Sequence, residues 1–171
     1  TPIEIPLMPI QVYFIRHGIA ADPEDYERDG DRPLTQKGRQ KTQAIAQRLQ
    51  DLKLQFDEIL TSPLVRAHQT AEILLETGLA PQLTVHESLA PMGSLSNWLD
   101  EIKTLEHKTL ALVGHEPDLS QWAELLIWGE VKGAITLKKA GMLGIDIANP
   151  MDPIGNSSLF WLTPPRFLIL S

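Results

Sequence analysis

The chain has 171 residues, enough for one domain with a sizeable core. With 43% apolar and 22% charged residues it has the composition of a folded protein rather than a disordered one. A net charge of −7 and a pI near 5.2 argue against a broad basic face for nucleic acid, and the lack of cysteine excludes disulfides, thiolate metal sites and a cysteine nucleophile. No apolar run approaches the ~18–20 residues that span a bilayer, so no membrane partner is expected. The opening "TPIEIPLMPI" lacks a basic start and an apolar centre. Its three prolines predict an extended lead-in over residues 1–9, ahead of a single domain placed in the cytoplasm.

In chain order, Val12, Tyr13, Phe14 and Ile15 predict a strand buried on both faces. It ends abruptly in Arg16-His17-Gly18, and a buried cation beside an imidazole needs partners. Residues 20–34 are polar and rich in Asp, Pro and Gly, and read as a loop. Within it Asp22, Glu24, Asp25 and Glu27 read as a solvated acidic run. Thr35 is placed to cap a helix whose Ile45, Leu49 and Leu52 share one side. "DEILTS" (57–62) predicts a second strand, after which Ser62 caps a helix with Pro63 at its first position and Gly78 just past its end.

"QLTVH" (82–86) is a weaker strand. Ser94 opens a helix with Trp98, Leu99, Ile102 and Leu105 on one stripe. "TLALVG" (109–114) predicts another buried strand, followed by a helix after Pro117 bearing Leu119, Trp122, Leu125 and Leu126. The last third predicts two or three strands at a sheet edge, with Pro164 and Pro165 barring a central position. Alternation of strands and helices predicts an α/β fold of packed layers.

Three predicted strand ends carry the same signature. Arg16-His17 closes the first, Ser62-Pro63 with Arg66 follows the second, and His115-Glu116-Pro117 closes "TLALVG". In an open parallel sheet these ends share the carboxyl edge, where ligands bind and helix N-termini add positive potential. Two arginines and two histidines at one rim predict an anion site suited to phosphate. A neutral imidazole can act there as the nucleophile. Arginine supplies a planar fork for the oxygens.

Each residue alone has a plainer reading. Arg66 could pair with Glu72, and His115 could serve as a helix cap. His68, two positions from Arg66, points elsewhere, and His86 and His107 flank strands in polar contexts. A metal centre on His17 and His115 lacks the spacing of known ligand motifs.

Taken together, "FIRHG", "SPLVRAHQTA" and "LVGHEP", in this order, resemble the histidine phosphatase superfamily, the phosphoglycerate-mutase-like fold. "RPLTQKG" (32–38) and the short chain are similar to its SixA-type phosphohistidine phosphatase branch. The resemblance implies that His17 is the nucleophile that becomes phosphorylated, that Arg16 and Arg66 bind the phosphoryl group, and that His115 donates to one of its oxygens. It further implies a three-layer α/β/α sandwich around a mainly parallel sheet, that Arg32 lines the pocket mouth and that neither metal nor other cofactor is needed. Ile19 stands where many relatives carry Glu, a difference between branches.

Other branches supply a carboxylic general acid from a helical insertion after the third strand. The stretch between His86 and His115 is too short for one, and within it "ESLAPMGS" (87–94) offers Glu87 as a possible acid. Imidazole is an easier leaving group than an alkoxide, because its nitrogen is readily protonated. The expected substrate is therefore a phosphohistidine-bearing protein, such as a phosphotransfer domain. The alternatives are a small-molecule phosphomonoesterase using Glu87 or a loop acid, and a non-catalytic protein that binds phosphorylated partners.

Overall fold

The computed structural model describes residues 9–105 and 108–169; the expected lead-in, Pro9 excepted, and His107 lie outside the described residues. Strand β1 (Ile10–Arg16) lies inside a six-stranded sheet. The other strands are β2 (Glu58–Thr61), β3 (Leu83–Val85), β4 (Thr109–Gly114), β5 (Met142–Ile147) and β6 (Ser158–Thr163). Their order is β3-β2-β4-β1-β5-β6; β1 to β4 are mutually parallel, and β5 and β6 extend the sheet antiparallel.

Burial on both faces of β1 has a direct cause. Alternate residues point to opposite sides. Ile10, Val12 and Phe14 join one apolar cluster, Tyr13 and Ile15 the other. Helices α1 (Gln36–Asp51) and α2 (Val65–Glu76) cover the Tyr13 face, and α3 (Leu95–Ile102) and α4 (Asp118–Trp128) the Phe14 face. Trp98 from α3 stacks on Trp122 from α4 at 5.9 Å and 18°, and both rings pack edgewise on Phe14. This is the expected α/β/α sandwich, its sheet parallel across β1 to β4 and antiparallel at β5 and β6.

The predicted caps hold at two helices: Thr35 Oγ1 accepts from Gly38 N–H and Ser94 Oγ from Asn97 N–H. Two expectations are corrected. Leu52 is 50% exposed, because α1 stops at Asp51 and Lys53 takes a left-handed φ of 63°, which turns Leu54 rather than Leu52 onto the core. Ser62 does not cap α2, which begins at Val65 with Leu64 as its N-cap. The Ser62 backbone instead stays in the ladder, its N–H bonded to the Val113 carbonyl, and its hydroxyl is engaged by Leu64 N–H and by His115. At the carboxyl end two strands form, with β6 at the sheet edge and Pro164 and Pro165 beyond its last residue. Among the described residues no helix is long and apolar enough to cross a membrane.

Candidate active site

Register brings the site together. β1 pairs with β4 so that Arg16 faces Gly114, and the next residue on each strand is a histidine. The His17 and His115 rings therefore sit 5.2 Å apart, both buried, on one cleft of about 790 Å³. Thr61 faces Val113 across the neighbouring ladder, which sets Ser62 beside His115. Arg66, in the first turn of α2, reaches the same cleft.

The glycine after His17 is demanded by close approach. A Cβ at Gly18 would lie 2.6 Å from Thr42 Oγ1 and 3.2 Å from Leu34 Cδ2, so a side chain there would collide with α1 and its lead-in. The Gly18 N–H donates to Thr70 Oγ1 at 3.0 Å. Its carbonyl is 2.7 Å from His17 Nδ1, and because a carbonyl only accepts, Nδ1 carries the proton. That leaves a lone pair on Nε2, which accepts from Arg66 Nε at 3.3 Å. Burial, opposed in part by the Gly18 carbonyl, pushes the His17 imidazolium down to about 3, with the charges of His115, Arg66 and Arg16 acting in the same direction as burial. His17 is thus a neutral imidazole with its free nitrogen turned to a guanidinium.

Arg66 spends its other nitrogens on one residue. They donate to the Asp29 carbonyl at 2.8 Å and to Asp29 Oδ2 at 2.9 Å. Arg32 grips Asp29 Oδ1 with Nε at 2.9 Å and anchors on the Ala21 carbonyl at 2.8 Å. Burial works to raise the Asp29 carboxyl, but its bonds to Arg66 and Arg32 and their charges hold it below the usual carboxylate range. Asp29 therefore bridges two arginines at the cleft mouth. Reading the sequence missed it, since it is one of several acids in an ordinary-looking loop.

His115 Nε2 lies 2.7 Å from Ser62 Oγ, while its Nδ1 is buried without a hydrogen-bond partner among the described residues. The serine hydroxyl can give a proton to a neutral ring or accept one from a charged ring, so it serves both protonation states. Burial first, then Arg66, Arg16 and Arg32, pushes His115 down to about 4, against the pull of Asp29. A bound dianion would reverse that balance. Arg16 donates through Nη1 to the Leu137 carbonyl at 3.0 Å and leaves a buried Nε unpartnered among the described residues. Burial lowers its pKa, countered by the charge of Glu116. Unpartnered nitrogens on two residues that line the cleft are what an incoming anion would satisfy.

Glu87 is not part of this arrangement. It is exposed on a separate shallow cleft with Thr84 and Asp100. His68 pairs with Glu72 at 3.3 Å, so Glu72 is taken by His68 and Arg66 turns to Asp29. His86 bonds Glu101 at 2.8 Å. Glu116, also unforeseen, accepts from Ser120 and from Leu137 N–H, tying α4 to the segment that holds Arg16. Among the described residues no group of three or more His, Cys, Asp or Glu could hold a metal.

The chain matches other proteins along most of its length. An uncharacterized protein of Picosynechococcus is 48% identical over 164 residues, covering 94% of this chain and 99% of that protein. Phosphohistidine phosphatase SixA of Escherichia coli strain K12 is 27% identical over 160 residues, covering 91% of this chain and 94% of SixA. The solved structure of protein histidine phosphatase SixA complexed with tungstate superposes with a TM-score of 0.78 at 24% identity, over 92% of this chain and 99% of that one. The family model of the histidine phosphatase superfamily, branch 1, matches residues 12–118, which hold both histidines, all three arginines of the cleft and Asp29. From that match, and from the geometry it spans, the chain belongs to the histidine phosphatase superfamily.

Proposed function

We propose that this phosphatase hydrolyses phosphohistidine on a partner protein through a covalent intermediate on His17. One observation carries the reading: a neutral His17 with its Nδ1 proton held by Gly18 and its Nε2 lone pair facing Arg66, in a cleft that Arg16 and His115 also line. Nε2 attacks the phosphorus of the substrate, a new P–N bond forms, and the bond to the substrate imidazole breaks as that ring takes a proton from solvent. Arg16 and Arg66 hold the equatorial oxygens, and His115 donates from Nδ1 to one of them, acting where charge builds in the transition state. Water then attacks phospho-His17 and releases inorganic phosphate, regenerating the imidazole. Arg32 steadies the mouth through Asp29.

Substrate class follows from proton supply. Asp29 is held ionised between two arginines, and the Glu116 carboxylate is occupied by Ser120 and Leu137, so neither is a ready donor for an alkoxide. An imidazole leaving group needs no such donor. Similarity to SixA over nine-tenths of the chain supports the same choice.

The small-ester reading retains one supporting feature. Asp22 lines the cleft rim and could serve as the loop acid, whereas Glu87 lies apart. The test is kcat/KM on a phosphohistidine protein against p-nitrophenyl phosphate, with trapping of the phospho-enzyme. The phosphohistidine protein is expected to be preferred by orders of magnitude, with His17→Ala abolishing both turnover and the trapped adduct. Higher activity on the small ester, lost in Asp22→Asn, establishes the second reading instead. Tight phospho-partner binding by wild type without turnover would mark a non-catalytic binder.

A further inference from the structure

A second cleft, of about 590 Å³, adjoins the catalytic one and shares Arg16 and Lys139 with it. Its rim is cationic throughout, with Lys41, Lys138 and Arg166 completing the set, and no carboxylate lines it. Its remaining walls are Ile19, Pro164 and Pro165. Lys41, Lys138, Lys139 and Arg166 form no ion pair among the described residues. In a chain of net charge −7, these four cations gather beside Arg16 without an ion pair of their own and repel one another, and an external anion relieves that repulsion.

The lysines are presented on a fixed segment. Between α4 and β5 the Glu124 carboxylate, 1% exposed, accepts backbone N–H groups from Lys132, Gly133, Ala134 and Ile135. Those bonds hold its pKa down against the opposing effect of burial. Further along, Leu137 is buried to 1% exposure, and Ala140 N–H reaches the carbonyls of Arg16 and His17 at 3.1 Å. Ala140 adopts a left-handed φ of 59°, a conformation that L side chains rarely take unless their surroundings hold them in it. Lys138 and Lys139 are thereby delivered to the edge of the nucleophile's own strand.

We propose that this cleft receives an acidic segment of the phosphorylated partner, flanking its phosphohistidine. The inference rests on the phosphohistidine reading and adds what the partner must carry. Spread cations and apolar walls suit carboxylate side chains on an extended backbone better than a single compact anion. Arg16 stands where the two clefts meet, so the phosphoryl group and the flanking acid would be read side by side.

The test uses two synthetic peptides, each with one phosphohistidine, flanked by glutamates in one and by glutamines in the other. Wild type is expected to favour the acidic peptide by about tenfold in kcat/KM at low ionic strength, with the preference shrinking as salt rises. The double variant Lys41→Gln/Lys138→Gln is expected to erase that preference while leaving the glutamine peptide unchanged. Equal wild-type rates on both peptides, or an equal loss on both in the variant, overturn the docking site and leave the phosphohistidine reading standing. Wild type that hydrolyses neither peptide, yet turns over p-nitrophenyl phosphate, overturns both.

Discussion

His17 and His115 are buried beside three guanidinium groups, and each arginine makes a second positive charge nearby more costly. Unfolded, both rings titrate near pH 6.5; folded, they do so at about 3 and about 4. Between those values the unfolded chain binds more protons, so stability is full above pH 6.5 and declines as pH falls toward 3. Urea midpoints measured from pH 7 to pH 4 are expected to fall steadily, and His115→Gln is expected to flatten the slope. Asp29 acts at the same scale. Its carboxylate fixes the Arg66 fork whose Nε faces His17 Nε2, and it also draws Arg32 to the mouth. Asp29→Asn is expected to lower kcat on the order of tenfold by loosening Arg66. Inhibition by inorganic phosphate is expected not to weaken, because the cleft becomes more positive; a pure KM effect would show that Asp29 only tunes binding.

At the scale of elements, α1 packs so closely on the turn after β1 that a methyl group has no room. Gly38, in the first turn of α1, would place a Cβ 2.1 Å from the Ile19 carbonyl oxygen, and Gly18 meets Thr42 from the other side. Gly18→Ala is expected to destabilise the fold by about 1–3 kcal/mol through overpacking and to displace His17, reducing activity. Thr42→Ala removes the nearest atom, so the double variant is expected to recover part of both losses. Denaturation midpoints and rates on the four proteins of this cycle measure the coupling; additive effects would place the strain elsewhere. The β1–β4 ladder explains why the spacing of "FIRHG" and "LVGHEP" works: parallel strands in this register end in histidines at one level.

Across the whole molecule, charge is unevenly arranged. The chain is acidic overall, while the arginines and lysines of the two adjoining clefts gather at one edge of the sheet. Such a field steers an anionic partner to that edge although the molecule as a whole repels it, and added salt weakens the steering. In the proposed mechanism arginine and histidine supply every charge the phosphoryl transfer asks for, so catalysis is expected to be metal-independent. Turnover of the phosphohistidine substrate is expected to be unchanged after EDTA treatment and not restored or raised by added divalent cations. A loss on chelation that metal reverses would contradict that expectation.

The order of elements was legible because burial writes itself locally. "TLALVG" has the continuous apolar run of a strand covered twice, and β4 spans those residues. Thr35 and Ser94 cap the helices they precede, since a cap needs only its next few residues. Arg16, His17 and His115 stood out by sitting at strand ends, and Arg66 by opening the helix after one, where topology makes positions equivalent. Other features depended on neighbours distant in the chain. Ser62 looked like a helix cap until His115, brought alongside by the β2–β4 register, engaged its hydroxyl. Leu52 followed the helical period yet faces solvent, because the chain turns one residue later. Asp29 was one acid among several from Asp22 to Asp31, and only the packing of α2 against that loop chose it as the partner of Arg66. Local sequence determined the strands, the helices and which residues are proposed to handle phosphate. The tertiary structure decided which nitrogen of His17 is free, which carboxylate the arginines share and where the lysines of the second cleft meet, because each of these is set by contact between segments that the chain itself keeps far apart.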